Sequence, residues 1–310
     1  MSTKDKHWNV PSRWKYLEVL TKEYLLDATL NHVGDNEISS KLGIHKNVIK
    51  SYRKFYGIPS GRSLEVIHKM RELKLNDIQV GILIGTLLGD ACLAISKTYG
   101  KDAFLLVEQC EKQRDYVFKK YDFFKDICLS KPSSRKRDDT LSKNGVTYRF
   151  NTVQHPGLTY IHSMMYKDGR KTVTKDLLEL LTMAGLAYWY FDDGSLQKSG
   201  KRYMFCTDNF SLDEVKLLRE YLFKRWKLYT SIVRFNNSYG NLKYRLYVAK
   251  RSNPLFTSYL KPFVLPCMNY KVDWSSETER KAPGNGMVIQ SELTGDSKSI
   301  AEMTIPQSQL

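Results

Sequence analysis

The chain lacks the marks of a membrane, secreted or zinc-dependent protein. No apolar run approaches the roughly 20 residues that span a bilayer, and the N-terminal stretch has no signal-peptide core. Cysteine is sparse: Cys92, Cys110, Cys128, Cys206 and Cys267 lie far apart, with no Cys-x-x-Cys pair. That spacing argues against a disulfide frame or a structural zinc site and fits a reducing compartment. Six scattered histidines disfavour a zinc-protease motif, a Cys/His nucleophile and a His-Asn-His nuclease centre. The ends carry no His-Asn splicing pair, so the chain does not read as an intein. Together these absences predict a protein of the cytoplasm and nucleoid or of an organellar matrix, neither secreted nor membrane-bound.

Negative charge is also in short supply. Against 49 Lys and Arg stand 33 Asp and Glu, a formal net charge of +16. A chain this basic meets a polyanion, and nucleic acid is the natural one. At 310 residues there is room for two or three compact units.

Two stretches carry acid where acid is unexpected. Leu83-Ile84-Gly85-Thr86-Leu87-Leu88-Gly89-Asp90-Ala91 and Leu186-Ala187-Tyr188-Trp189-Tyr190-Phe191-Asp192-Asp193-Gly194 are apolar helix-length runs that end in a carboxylate and a small residue. An unpartnered buried ion costs several kcal/mol, about 2–7 even for a neutral polar group. If the helices pack side by side, Asp90 and Asp193 meet at one end of the seam and repel unless a divalent cation lies between them. Gly85 and Gly89, four apart, let a partner backbone approach; Ala184 and Ala187 are the small residues expected opposite.

The paired runs, 193 − 90 = 103 residues apart, resemble the two motifs of single-chain LAGLIDADG homing endonucleases. The resemblance covers 76–273. It implies an α+β fold of two pseudo-symmetric αββαββα halves packed through the motif helices, working as a monomer on a long double-stranded DNA target. It further implies metal-dependent double-strand breaks with short 3′ overhangs, using Mg²⁺ or Mn²⁺. Candidate metal ligands are Asp90, Asp193 and the flanking Gly89 and Asp192. Lys171 and Lys271 fall where the family's active-site lysines fall, and Gln109 or Glu108 is the candidate for ordering water, with Thr207 or Asp208 as its counterpart.

The residues independently show a repeat. Each half reads as helix, two strands, helix, two strands, helix, and Tyr148-Arg149 recurs as Tyr244-Arg245, 244 − 148 = 96 residues on. The predicted units are 76–175 and 176–275. Outward strand residues Thr147, Arg149 and Asn151, and Lys243, Arg245 and Tyr247, are suited to base edges in a major groove. The loops 131–137, with Arg135, Lys136 and Arg137, and 198–202, with Lys198 and Arg202, are expected on phosphates.

Residues 1–62 read as a helix-turn-helix module, with Ile38, Leu42, Ile44, Ile49 and Tyr52 as its core and Gly43 at the turn. Lys46, Asn47, Lys50, Arg53 and Lys54 are placed on the outer, DNA-facing side of the second helix. A linker over 63–75 and a disordered polar tail over 276–310 complete the expectation. Two rival readings share the fold: a maturase binding intron RNA, and a DNA-binding regulator without catalysis.

Overall fold

The computed structural model describes residues 14–31, 33–58, 64–96, 102–139, 142–197 and 201–273. The tail 276–310, Lys198 and the side chain of Arg137 lie outside the described residues.

Three helices, α1 (Lys22–Leu30), α2 (Asp35–Leu42) and α3 (Lys46–Tyr56), form the N-terminal unit. Gly43 takes a left-handed φ of 65° that only glycine adopts without strain, and so turns α2 into α3. Ile38, Ile44, Ile49 and Tyr52 close a separate core with Leu20, Leu25 and Ala28, and Leu42 is partly buried at its rim. Arg53 does not lie on the outer face. It follows Ile49 by four and Tyr52 by one, so the helix carries it inward, to 3 % exposure. There its guanidinium donates to Asp35 Oδ1 at 2.7 Å, Thr29 Oγ1 at 2.6 Å and Leu25 O at 3.2 Å.

The span expected as a linker carries α4 (Leu64–Glu72), which docks on the larger core through buried Met70. Arg71 pairs with Asp102, and His155 Nε2 lies 2.8 Å from Leu73 O.

The first repeat then runs α5 (Asp77–Leu88), β1 (Cys92–Ile95), β2 (Ala103–Cys110), α6 (Arg114–Phe124), β3 (Ser133–Asp139), β4 (Ser142–Asn151) and α7 (Pro156–Met165). A small hairpin of β5 (Tyr166–Lys167) and β6 (Arg170–Lys171) and a short α8 (Lys175–Glu179) lead to the second repeat. That repeat is α9 (Met183–Asp193), β7 (Gly194–Gln197), β8 (Arg202–Phe205), α10 (Leu212–Trp226), β9 (Thr230–Asn236), β10 (Leu242–Val248) and α11 (Asn253–Leu260). Both halves give an antiparallel four-stranded sheet in the same order, β1-β2-β4-β3 and β7-β8-β10-β9. Much of 131–137, expected as a loop, is the edge strand β3; charged side chains on an edge deter pairing with another chain.

Reciprocal capping boxes start α5 at Asn76 and Gln79 and α10 at Ser211 and Glu214. Every residue of α5 from Val80 to Leu88 is buried, as is every residue of α9 from Gly185 to Asp192. Such helices belong at a centre, and they cross there. A Cβ on Gly85 would stand 1.9 Å from Gly185 O, and one on Gly185 would stand 2.1 Å from Gly81 O. The small residue facing Gly81 and Gly85 is therefore Gly185, in place of the expected Ala184 and Ala187. Backbone meets backbone, and one core runs through both halves.

Candidate active site

The glycine crossing fixes the ends of α5 and α9 beside each other. A Cβ on Gly89 would stand 2.4 Å from Asp192 Cβ. Asp90 follows, exposed, and Asp193 is the last residue of α9. Burial first, and then repulsion from Asp90 and Asp192, push the Asp193 carboxyl well above the usual carboxylate range. Two carboxylates meeting at one end of a seam suit a cation between them. Among the described residues no three His, Cys, Asp or Glu side chains form a complete cage. Asp90 and Asp193 would thus hold a hard cation with carbonyls, water and substrate oxygens, the open set that Mg²⁺ favours.

The two lysines occupy matching places. Lys171, held at the end of the β5–β6 hairpin, donates to Gly89 O at 2.9 Å and Ala91 O at 2.7 Å. Lys271 donates to Phe191 O at 2.6 Å and Asp192 O at 2.9 Å. Each ammonium thus caps the negative end of one motif helix. Burial lowers both lysine pKa values, and the nearby aspartates oppose that shift.

Strand alternation separates Gln109 from Glu108. Gln109 points inward, 5 % exposed, and its Nε2 donates to Asp90 Oδ2 at 3.1 Å and Asp192 Oδ1 at 2.9 Å. Its Oε1 is buried without a protein partner, an acceptor suited to water. Glu108 lies on the other face of the sheet, where Thr147 Oγ1 donates to it at 2.7 Å, so it does not face the aspartates. In the second half Thr207 is buried and donates to Tyr244 O at 2.7 Å, while Asp208 is paired with Arg245.

Asp192 was expected beside the metal, but its carboxylate is already committed. Lys120 Nζ lies 2.6 and 2.8 Å from its two oxygens, and Thr86 Oγ1 donates to it at 2.6 Å. Sequence reading passed over Lys120. The signal was its place on the inward stripe of α6 with Tyr116, Val117, Tyr121 and Phe124, where a lysine needs an acid.

The predicted DNA-facing residues divide by strand register. Arg135, Thr147 and Cys110 are cross-strand neighbours on one face, with Glu108 and Arg149 further along it. Lys136 alternates to the opposite face. Lys243, Arg245 and Tyr247 share the corresponding face of the second sheet. Arg202 sits 4.9 Å over the Tyr247 ring. Lys46, Asn47, Lys50 and Lys54 are exposed on α3. No helix among the described residues is long and apolar enough to cross a membrane.

Comparison with known proteins agrees with this fold. The model of the LAGLIDADG DNA endonuclease family matches residues 80–256. DNA endonuclease I-ChuI of Chlamydomonas applanata is 27 % identical over 211 residues, 64 % of this chain and 96 % of that protein. The cytochrome b mRNA maturase bI2 of Debaryomyces hansenii is 27 % identical over 194 residues, 62 % of this chain and 72 % of that protein. Homing endonuclease I-WcaI, solved bound to its DNA recognition sequence, superposes with a TM-score of 0.61 at 25 % identity, covering 71 % of this chain and 96 % of that one.

Proposed function

The chain belongs to the LAGLIDADG DNA endonuclease family, and from that premise we propose that it is a site-specific homing endonuclease that cuts both strands of duplex DNA. The observation that carries this reading is the convergence of Asp90 and Asp193 at the ends of two glycine-crossed helices, each end capped by a lysine. Support also comes from the relatives I-ChuI and I-WcaI, whose names describe DNA endonucleases.

In this reading each aspartate serves one strand, and the cuts leave short 3′ overhangs. Asp90 and Asp193 would hold Mg²⁺, with Mn²⁺ able to replace it. Such a cation neutralises charge developing at the scissile phosphate and acidifies water. Lys171 and Lys271 hold the helix ends in place and add positive charge beside the phosphates. Gln109 fixes Asp90 through Nε2 and offers Oε1 to a water. The outward faces of both sheets, with Arg149, Lys243 and Arg245, lie along the groove, and α3 with Lys46, Asn47 and Lys50 adds contacts in flanking DNA.

The test is cleavage of a selected target duplex in Mg²⁺, with chelator abolishing cutting while binding survives. Asp90→Asn and Asp193→Asn should each abolish double-strand breaks with the fold intact; full cutting by the double variant sinks the proposal. The name of the Debaryomyces relative favours a second reading, an RNA maturase. Preference for host-intron RNA over target duplex, with no cutting of any duplex, would move the conclusion there.

A further inference from the structure

We propose that Arg245 reads a guanine in the part of the target that lies against the second sheet, with Asp208 as the residue that positions it. This deepens the endonuclease reading and rests on it. Asp208 clasps one edge of the guanidinium, accepting from Nε at 2.7 Å and from Nη2 at 2.6 Å. Cζ of the same group lies 4.1 Å over the centre of the Phe235 ring. Both side chains of the ion pair keep about a third of their surface open, 29 % and 32 %. The group is thus fixed in plane and direction while the Nη1 end remains available.

Position and charge narrow the use of that end. Arg245 pairs with Val233 across the ladder, and alternation places Lys243 and Tyr247 on the same outward face. A phosphate approaching the guanidinium would bring its charge against the Asp208 carboxylate, which already neutralises much of Arg245. A guanine edge presents two neutral acceptors, O6 and N7, and the free donors of Nη1 and Nη2 match them. Holding the fork beforehand also lowers the ordering cost of the contact. The pattern of an arginine clasped by a carboxylate, seated over a ring and about a third open therefore suits base reading better than backbone attraction.

The experiment selects bound sequences by the full chain from a randomised duplex library, with divalent metal withheld so that binding is read without cutting. The parent protein should enrich one consensus with a guanine that Arg245→Lys no longer selects, a loss of about 10- to 100-fold in discrimination at that position. Arg245→Lys keeps the charge and removes the fork. Asp208→Asn, which keeps the size and removes the clasping charge, should relax the same position and leave the others unchanged. Thermal midpoints close to the parent's certify folding of both variants. An unchanged consensus in Arg245→Lys overturns the proposal. So does a uniform loss of affinity in Arg245→Ala with a salt slope lower by about 0.9, the mark of a phosphate contact. The parent reading is separated by adding Mg²⁺: a consensus that is bound but never cut refutes the nuclease while the guanine assignment stands on binding. A parent protein that enriches no duplex refutes both.

Discussion

The ammonium of Lys120 sits 2.6 and 2.8 Å from the two oxygens of Asp192, and both side chains are wholly shielded from water. Lys120 belongs to the first half and Asp192 to the second, so this pair joins the repeats beside Asp90 and Asp193. Asp192 passes the constraint to Gln109, and Gln109 to Asp90.

Removing one partner of a buried pair leaves an uncompensated charge, so Lys120→Met should destabilise the protein by about 3–5 kcal/mol. Adding Asp192→Asn removes that charge and should return part of the loss. Denaturant unfolding of the parent, the single and the double variant measures both effects. A Lys120→Met protein as stable as the parent would show that the pair does not hold the two halves together.

Gly85→Ala places a methyl group only 1.9 Å from Gly185 O. Neither backbone can yield without parting the helices, and overpacking costs typically about 1–3 kcal/mol, at times more. Because Asp90 and Asp193 ride on the two helix ends, cleavage should fall further than stability. The comparison is cutting rate against thermal midpoint in the same preparation. Activity at the parent level would mean that the carboxylate spacing tolerates a wider crossing.

The repeat and the meeting of Asp90 with Asp193 were legible because they leave local marks. An acid at the end of an apolar run is conspicuous, and a 96-residue offset between Tyr148-Arg149 and Tyr244-Arg245 counts itself. The helix Leu212–Trp226 is equally plain, opened by Ser211 and Glu214. What stayed hidden depends on contacts between distant segments. Gly185 matters only because Gly81 and Gly85 arrive opposite it. Asp192 and Asp193 are neighbours of one type, and only the helix turn sends one to Lys120 and the other toward Asp90. The strand Ser133–Asp139 has little β preference of its own and exists because β4 pairs with it.

Acid should destabilise the fold around His155. Burial lowers the His155 pKa from its ordinary 6.5, and Gly157 N–H donates to Nδ1 at 3.0 Å, a bond that the protonated ring cannot accept. As pH falls below 6.5 the unfolded chain takes up a proton on this histidine while the folded chain resists it. The unfolded state then binds more protons, and stability declines with falling pH until the lower folded pKa is reached. Denaturant midpoints at pH 7.5 and 5.5 should differ more for the parent than for His155→Gln. Equal differences would remove His155 as the cause.

Two basic residues of α3, three positions apart, should answer substitution in opposite ways. Arg53 is buried against Asp35, Thr29 and Leu25, so Arg53→Ala strands Asp35 and several acceptors and should unfold the N-terminal unit at a cost of about 3–5 kcal/mol. Lys50 is exposed on the outer face, so Lys50→Ala should leave stability within about 0.5 kcal/mol. If α3 lies on DNA, Lys50→Ala should instead lower the salt slope of binding by about 0.9, one phosphate contact. Unfolding curves and salt titrations of the two variants give four numbers, and the assignment requires the effects to cross. A salt slope unchanged by Lys50→Ala would take this face of α3 off the DNA, while a stable Arg53→Ala would put the arginine back on the surface where the sequence alone had placed it.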